Sequence, residues 1–259
     1  MNSDFEELRA IVRRLRVECP WDREQTHTSL RQGFIEETYE AIEAIDAADW
    51  NELCTELGDV MLHIALQTAI AEEEQQFTMA DVLTRINEKL RRRHPHVFGS
   101  AEAPDSATQV RTWEKIKRSE GRTSIVDGVP KEMPALLRAR RLQEKASKVG
   151  FDWDDRSLVW KKVEEETAEL HHAVESGDQR HTEEEFGDLL FALVNYSRFL
   201  KIDPEQSLRE TCSKFVKRFQ YIEEQLRLRG KDIDATPLAE MDALWDEAKK
   251  VFAMQPPTA

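Results

Sequence analysis

Two stretches of this chain repeat one acidic pattern at one spacing, and that repetition restricts the possible folds more than any other feature. The first reads Glu36-Glu37-Thr38-Tyr39-Glu40, followed by Glu56-Leu57-Gly58-Asp59. The second reads Glu165-Glu166-Thr167-Ala168-Glu169, followed by Glu185-Phe186-Gly187-Asp188. Every residue of the second stretch lies 129 positions after its counterpart in the first. Self-similarity of this kind marks two copies of one structural unit.

Helical spacing turns the pattern into geometry. Glu37 and Glu40 stand at i,i+3, as do Glu56 and Asp59, so each pair shares a helix face. Ala47-Ala48-Asp49-Trp50 reads as the turn between two antiparallel helices, and position 48 is midway between Glu40 and Glu56 and between Glu37 and Asp59. In the second copy the matching midpoint is Gly177, inside the turn Ser176-Gly177-Asp178. The folded-back helices therefore predict four carboxylates at one level in each copy: Glu37, Glu40, Glu56 and Asp59, then Glu166, Glu169, Glu185 and Asp188. Assembling four such groups costs on the order of several kcal/mol unless cations neutralise them. Mg²⁺ suits this all-oxygen set and keeps positions open for water or phosphate, and Mn²⁺ fits similar ligands. A solvated acidic face accounts for most charge runs. Recurrence of the whole pattern favours two copies of a metal site.

The rest of the chain reads as helix. Only 9 glycines occur in 259 residues, well below the average of roughly 7%. Apolar residues recur at three- and four-residue spacing, as in Leu53, Leu57, Val60, Met61, Ile64 and Ala65, and no β-branched run alternates as a strand would. The expected class is all-α, a tandem repeat of two helical units. Breakers at Gly121, Gly128 and Pro130 suggest a first domain over 1–118, a linker over 119–133, a second domain over 134–253, and a disordered tail over 254–259. A short helix is expected around Val110 to Arg118, and Thr78 or Asp81 is expected to cap a helix ended by Pro95.

Charge and motif content exclude several function classes. A formal net charge of −14 disfavours nucleic-acid polymers and anionic membranes as partners. A small anionic substrate stays compatible if ions and local basic residues reverse the potential. Cys19, Cys54 and Cys212 show no paired spacing and read as free thiols of a reducing cytosol. The charged start lacks a signal-peptide core, which points to a cytoplasmic protein. No Gly-rich phosphate loop of either common type is present.

Basic residues recur as well. Lys89 and Arg93 stand at i,i+4, and so do Lys214 and Arg218 in the matching segment. Such stripes suit the outer phosphates of a nucleotide, or they complement a helix C-terminus. Trp21, Trp153 and Trp245 are candidates for base stacking, though a Trp is more often core. His94 and His96 flank Pro95 at a helix end and are explained most simply by helix termination. His171 and His172 follow the second Glu pair, and Asn195 on the second hairpin is a candidate base contact.

The Glu-Glu-x-x-Glu and Glu-x-x-Asp pairs, with Cys19-Pro20-Trp21-Asp22, Arg92-Arg93-His94-Pro95-His96-Val97-Phe98 and Val149-Gly150-Phe151-Asp152-Trp153, resemble the two-domain form of the MazG family of nucleoside triphosphate pyrophosphohydrolases. The resemblance covers nearly the whole chain. It implies the all-α nucleotide pyrophosphatase superfamily, four-helix bundles completed by a partner subunit, and hence a homodimer. It also implies Mg²⁺-dependent hydrolysis of nucleoside triphosphates to monophosphate and pyrophosphate, in broad-specificity cleansing of the nucleotide pool or in control of stress nucleotides. Carried over by residue, it assigns Glu166, Glu169, Glu185 and Asp188 to metal and catalysis, with Glu37, Glu40, Glu56 and Asp59 as first-unit counterparts. Glu36 and Glu165 would hold or polarise a water. Lys214, Arg218, Lys89 and Arg93 would meet phosphates, and Trp245 would border the nucleotide. The first unit has no obvious counterpart of Trp245, and the second lacks the His-Pro-His segment, so the second unit is favoured as the principal catalyst.

Overall fold

The computed structural model describes residues 2–99, 105 and 124–253, and all its regular secondary structure is helical. The first unit contains α1 (Asn2–Glu18), α2 (Pro20–Glu24), α3 (Arg31–Asp46), α4 (Trp50–Glu73), α5 (Met79–Arg93) and α6 (Pro95–Phe98). The second contains α7 (Ala135–Ser147), α8 (Arg156–Ser176), α9 (Gln179–Phe199), α10 (Pro204–Leu228), a 3₁₀ turn (Ile233–Ala235) and α11 (Leu238–Ala253). The helix expected near Val110 to Arg118, linker residues 119–123 and the tail 254–259 lie outside the described residues.

Local chemistry explains why the two central hairpins fold alike. Asp49 caps α4 by accepting from the backbone N–H groups of Asn51 and Glu52 at 3.1 and 3.0 Å. Its repeat counterpart Asp178 caps α9 by accepting from those of Arg180 and His181 at 3.0 and 3.2 Å. Each cap satisfies N–H groups that a helix start leaves without an intrahelical partner. The residue before each cap reverses the chain in the left-handed region, Ala48 with φ 53° and Gly177 with φ 73°. A glycine takes that conformation without Cβ strain, so the second turn is the easier of the two to read from sequence. Thr78 and Asp81 form a reciprocal capping box at the start of α5. The C-cap residue His94 directs Nδ1 to the Leu90 carbonyl at 2.7 Å, in keeping with a helix-terminating role.

In the first unit, α1 packs along the C-terminal half of α4, and Val12, Leu30, Ala65, Leu66, Ala69 and Ile70 form the core. Arg16 clamps this contact. Its guanidinium donates to both carboxylate oxygens of Glu73, at 2.9 and 2.6 Å, and to the carbonyls of Asp22 and Gln25. In the second unit, α8 and α9 form the hairpin, α7 lies against α9, and α10 pairs with α11 around Ile222, Leu226 and Leu244. Lys145 on α7 donates to the carbonyls of Ile125 and Asp127, which brings the loop before α7 onto the unit.

Both hairpins leave one apolar face uncovered. Leu57, Met61 and Ile64 on α4 are exposed at i, i+4 and i+7, and so are their repeat counterparts Phe186, Leu190 and Leu193 on α9. No helix among the described residues is long and apolar enough to cross a membrane.

Candidate metal and substrate site

Each hairpin brings three acidic side chains together. Carboxylate oxygens of Glu37, Glu56 and Asp59 lie within 4.8 Å of one another, as do those of Glu166, Glu185 and Asp188. The sets correspond residue for residue across the repeat. Glu56 and Glu166, each 6% exposed, anchor the dry side of their sets. The fourth members differ from the expected ring of four: Glu40 and Glu169 are exposed and stand outside the convergent triplets. Both remain electrostatically joined to the sets. Burial first, then the charges of Glu40, Glu52, Glu37 and Asp59, holds the Glu56 carboxyl above its usual range. Burial, the Glu166 charge and a hydrogen bond with Glu166 do the same to Glu169.

The donor set fits a hard divalent cation. Three carboxylates converge on one point in each unit, and Glu56 Oε2 is buried without a hydrogen-bond partner. A carboxylate oxygen held that way is an acceptor awaiting a cation or proton. Glu169 and His172 on α8 stand at the Glu-x-x-His spacing of di-iron carboxylate proteins. His172 is exposed, however, and the convergent groups are carboxylates alone, although His63 lies 4.0 Å from Glu37 and His181 3.4 Å from Glu185.

Around the triplets the two units diverge through a reciprocal exchange. In the second, the Lys162 ammonium lies 2.6 Å from Glu165 and 2.8 Å from Glu166. Hydrogen bonds with Glu165 and then Glu166 raise its pKa. The matching first-unit position is Gly33, and the cation-capable group there is His63 on the other helix, 4.0 Å from Glu37. His63 stacks on Phe34 with ring centroids 5.7 Å apart, and a Cβ added to Gly33 would stand 3.0 Å from its Cε1. The second unit has Ala192 at the His63 position, so each unit holds a cation donor on one helix and a small residue opposite. Lys162 was legible as the i−3 and i−4 neighbour of two ligand-type glutamates, whereas His63 needed the packing.

Beside the second triplet opens a cavity of about 520 Å³, within the range of small-molecule sites. Lys162, Glu166, Asp188, Asp152 and Arg198 are its charged lining, and Phe151, Trp153 and Phe191 supply aromatic surface. Asn195 lines it and accepts a hydrogen bond from Arg198, which also bonds Asp152 at 2.7 Å. In the first unit the positions matching Asn195 and Arg198 are Leu66 and Ala69, both part of the closed core. The cavity described beside the first triplet is instead lined by Glu40, Glu43, Asp49, Glu52 and Glu56 with two alanines.

The basic residues stand elsewhere. Lys214 and Arg218 lie on α10, which packs mainly on α11 and α7 rather than on the carboxylate hairpin. Arg218 places its guanidinium 5.4 Å from the Trp245 ring centre, and Phe215 meets the same ring at 5.3 Å. Lys89 and Arg93 occupy the C-terminal part of α5. Glu36 is exposed and bonded by Gln32, and Glu165 is exposed and bonded by Lys162. Trp21 is exposed on α2, and His171 is exposed on α8.

Fold and site together define a helical tandem-repeat protein with a convergent carboxylate triplet in each repeat and a differently lined cavity beside each. The MazG nucleotide pyrophosphohydrolase domain matches residues 25–98 and again 156–222. The chain is 46% identical over 250 residues to the nucleoside triphosphate pyrophosphohydrolase/pyrophosphatase MazG of Thermotoga maritima, covering 95% of each chain. It is 37% identical over 257 residues to the nucleoside triphosphate pyrophosphohydrolase of Escherichia coli K12, covering 96% of this chain and 98% of that one. It is also 48% identical over 253 residues to the uncharacterized protein YabN of Bacillus subtilis, 95% of this chain but 52% of that longer one. This chain belongs to the MazG nucleotide pyrophosphohydrolase family.

Proposed function

We propose that the chain hydrolyses nucleoside triphosphates between the α- and β-phosphates, giving monophosphate and pyrophosphate, with Mg²⁺ as the working cation and Mn²⁺ as a fitting substitute. The observation that carries this reading is the convergence of Glu166, Glu185 and Asp188 within 4.8 Å, with Glu166 and Asp188 lining a cavity of about 520 Å³. The family membership and the activities for which the Thermotoga and Escherichia relatives are named point the same way. Glu166, Glu169, Glu185 and Asp188 would hold the ions, with Glu37, Glu40, Glu56 and Asp59 as a second set. A bound divalent ion supplies Lewis acidity to phosphate oxygens and to an attacking water.

The chain's own residues do the rest. Glu165 lies beside the triplet, and Glu36 holds the matching place in the first unit, as acceptors for the proton of the attacking water. Lys162 offsets negative charge at Glu166 and lines the same cavity, where a polyphosphate would arrive. The second unit is the principal catalyst in this account, because the first fills its matching interior with Leu66 and Ala69.

Lys214, Arg218 and Trp245 reach a carboxylate triplet most simply from a second copy of the chain. The uncovered stripe Phe186, Leu190 and Leu193 favours that arrangement, as does the exposed series Leu208, Phe215 and Phe219 on α10. Two such faces bury each other in a bundle of four helices, and a homodimer follows. The domains would then be 1–118 and 134–253, working on the triphosphate pool of the cytoplasm. Broad-specificity pool cleansing and stress-nucleotide control are both compatible with this chemistry. Product analysis tests the reaction: monophosphate plus pyrophosphate supports attack at the α-phosphorus, whereas diphosphate plus orthophosphate refutes it.

A further inference from the structure

Matched positions around the two carboxylate triplets differ in charge, and every difference runs the same way. Gly33 of the first unit is Lys162 in the second, and Glu43 and Glu52 of the first are His172 and His181 in the second. Glu43 and Glu52 line the cavity beside the first triplet, which Glu56 also lines. In the second unit the Lys162 ammonium instead contacts Glu165 at 2.6 Å and Glu166 at 2.8 Å, and His181 Nδ1 stands 3.4 Å from Glu185. A protonated amine has no lone pair to offer a metal, so Lys162 occupies a ligand oxygen of Glu166 without adding to the donor set. His63 of the first unit does less, since its Nε2 is 4.0 Å from Glu37, beyond hydrogen-bond distance. A divalent ion entering the second triplet therefore meets a positive charge already in place. One entering the first meets added negative charge and relieves more repulsion.

We propose that the two centres load their cations in different orders. The first holds a divalent ion before any nucleotide arrives. The second binds its ion tightly only together with a polyphosphate, because Lys162 acts as a placeholder cation on Glu166. The Lys162 side chain is 36% exposed and lines the cavity beside the triplet, and its flexible stem lets the ammonium change partners. When the ammonium turns to a phosphate, Glu166 regains a free oxygen and the ligand offsets the charge that opposed the ion. The coupling is reciprocal: the factor by which a polyphosphate raises cation affinity is the factor by which the cation raises polyphosphate affinity. In this role Lys162 is a positioning residue that keeps free ions from filling the second centre ahead of substrate. This loading order rests on reading both triplets as cation centres.

Electron paramagnetic resonance counts free Mn²⁺ as the ion is added to the full chain, and so reads binding without turnover. Asp188→Asn leaves the first triplet intact, and Asp59→Asn leaves the second. Without nucleotide, Asp188→Asn is expected to bind Mn²⁺ at least about tenfold more tightly than Asp59→Asn, the lower end of what one nearby charge does to an ionic equilibrium. In the Asp59→Asn background, Lys162→Met should tighten nucleotide-free binding by at least about tenfold. Lys162→Arg keeps the charge and should leave that binding weak. A triphosphate with a methylene bridge between the α- and β-phosphorus atoms, which resists cleavage there, should tighten Mn²⁺ binding by Asp59→Asn but not by Asp188→Asn, once the ion held by the nucleotide alone is subtracted. Equal nucleotide-free affinity in the two aspartate variants overturns the loading order and leaves the cation centres in place. So does a Lys162→Met substitution that leaves affinity unchanged or weaker. Failure of both aspartate variants to bind Mn²⁺ overturns the cation centres and the loading order with them. The expected order without any pyrophosphate release would keep it and refute the proposed reaction instead.

Discussion

Replacing Arg16 by methionine tests whether the first unit is held by the clamp described above. The Arg16 side chain is 8% exposed and makes four hydrogen bonds, two to Glu73 and two to the carbonyls of Asp22 and Gln25. Methionine keeps much of the apolar length and none of the donors. Bonds to a charged partner are worth about 1.5–3 kcal/mol each when dry. The Glu73 side chain is 48% exposed, so screening brings these two nearer to about 1 kcal/mol each. The two carbonyl bonds contribute about 1 kcal/mol each. Relief from burying a guanidinium returns part of that sum, leaving a net loss of about 2–3 kcal/mol.

For a unit of roughly 100 residues, that loss lowers the midpoint by about 10–20 °C. Differential scanning calorimetry of the natural protein and Arg16→Met reads it directly. The pH dependence has a definite sign. The Arg16 hydrogen bond holds Glu73 below its usual range despite partial burial. A carboxyl with a lowered folded pKa adds stability that is present above its unfolded value, about 4.3, and is lost as pH falls through the folded value. The gap between natural and variant proteins should therefore narrow below about pH 4. A midpoint change under about 2 °C at pH 7 would refute the clamp as a stabilising element.

Gly33→Ala should destabilise the first unit by about 1 kcal/mol, although alanine is the better helix former, because the added methyl collides with His63; a rise in the melting midpoint would show that His63 yields freely. Leu190→Lys should convert the proposed dimer to monomer in analytical ultracentrifugation and reduce pyrophosphate release with it. A natural protein that already sediments as one chain would remove the partner-subunit account of Lys214, Arg218 and Trp245.

Much of the fold was legible because its signals are local. Asp49 and Asp178 cap helices within three residues of themselves, the turns at Ala48 and Gly177 lie midway between acidic pairs, and Thr78 with Asp81 is a capping box in plain order. Three of four carboxylates in each expected set converge for the same reason, since helical spacing and one turn fix them. What sequence did not disclose depends on packing between distant segments. Gln143 meets Phe191 only after α7 settles on α9, and Arg198 meets Asp152 only after the loop before α8 folds back. Glu40 and Glu169 share the helical spacing but stay exposed and outside the groups within 4.8 Å, a difference of side-chain placement that spacing alone does not register. The basic stripes on α5 and α10 were read correctly as helix faces, but a helix face does not specify which hairpin, or which copy of the chain, it will meet.

The most direct measurement compares Mg²⁺-dependent pyrophosphate release by the natural protein, Asp188→Asn and Asp59→Asn, with folding verified by circular dichroism. Loss of a cation-binding carboxylate at the working site should lower release at least about a hundredfold in Asp188→Asn. Asp59→Asn, altered at the unit with the filled interior, should retain activity within about threefold of natural, the size of effect expected away from the reacting atoms. Full activity in Asp188→Asn, or equal collapse of both variants, would contradict the assignment of catalysis to the second carboxylate triplet.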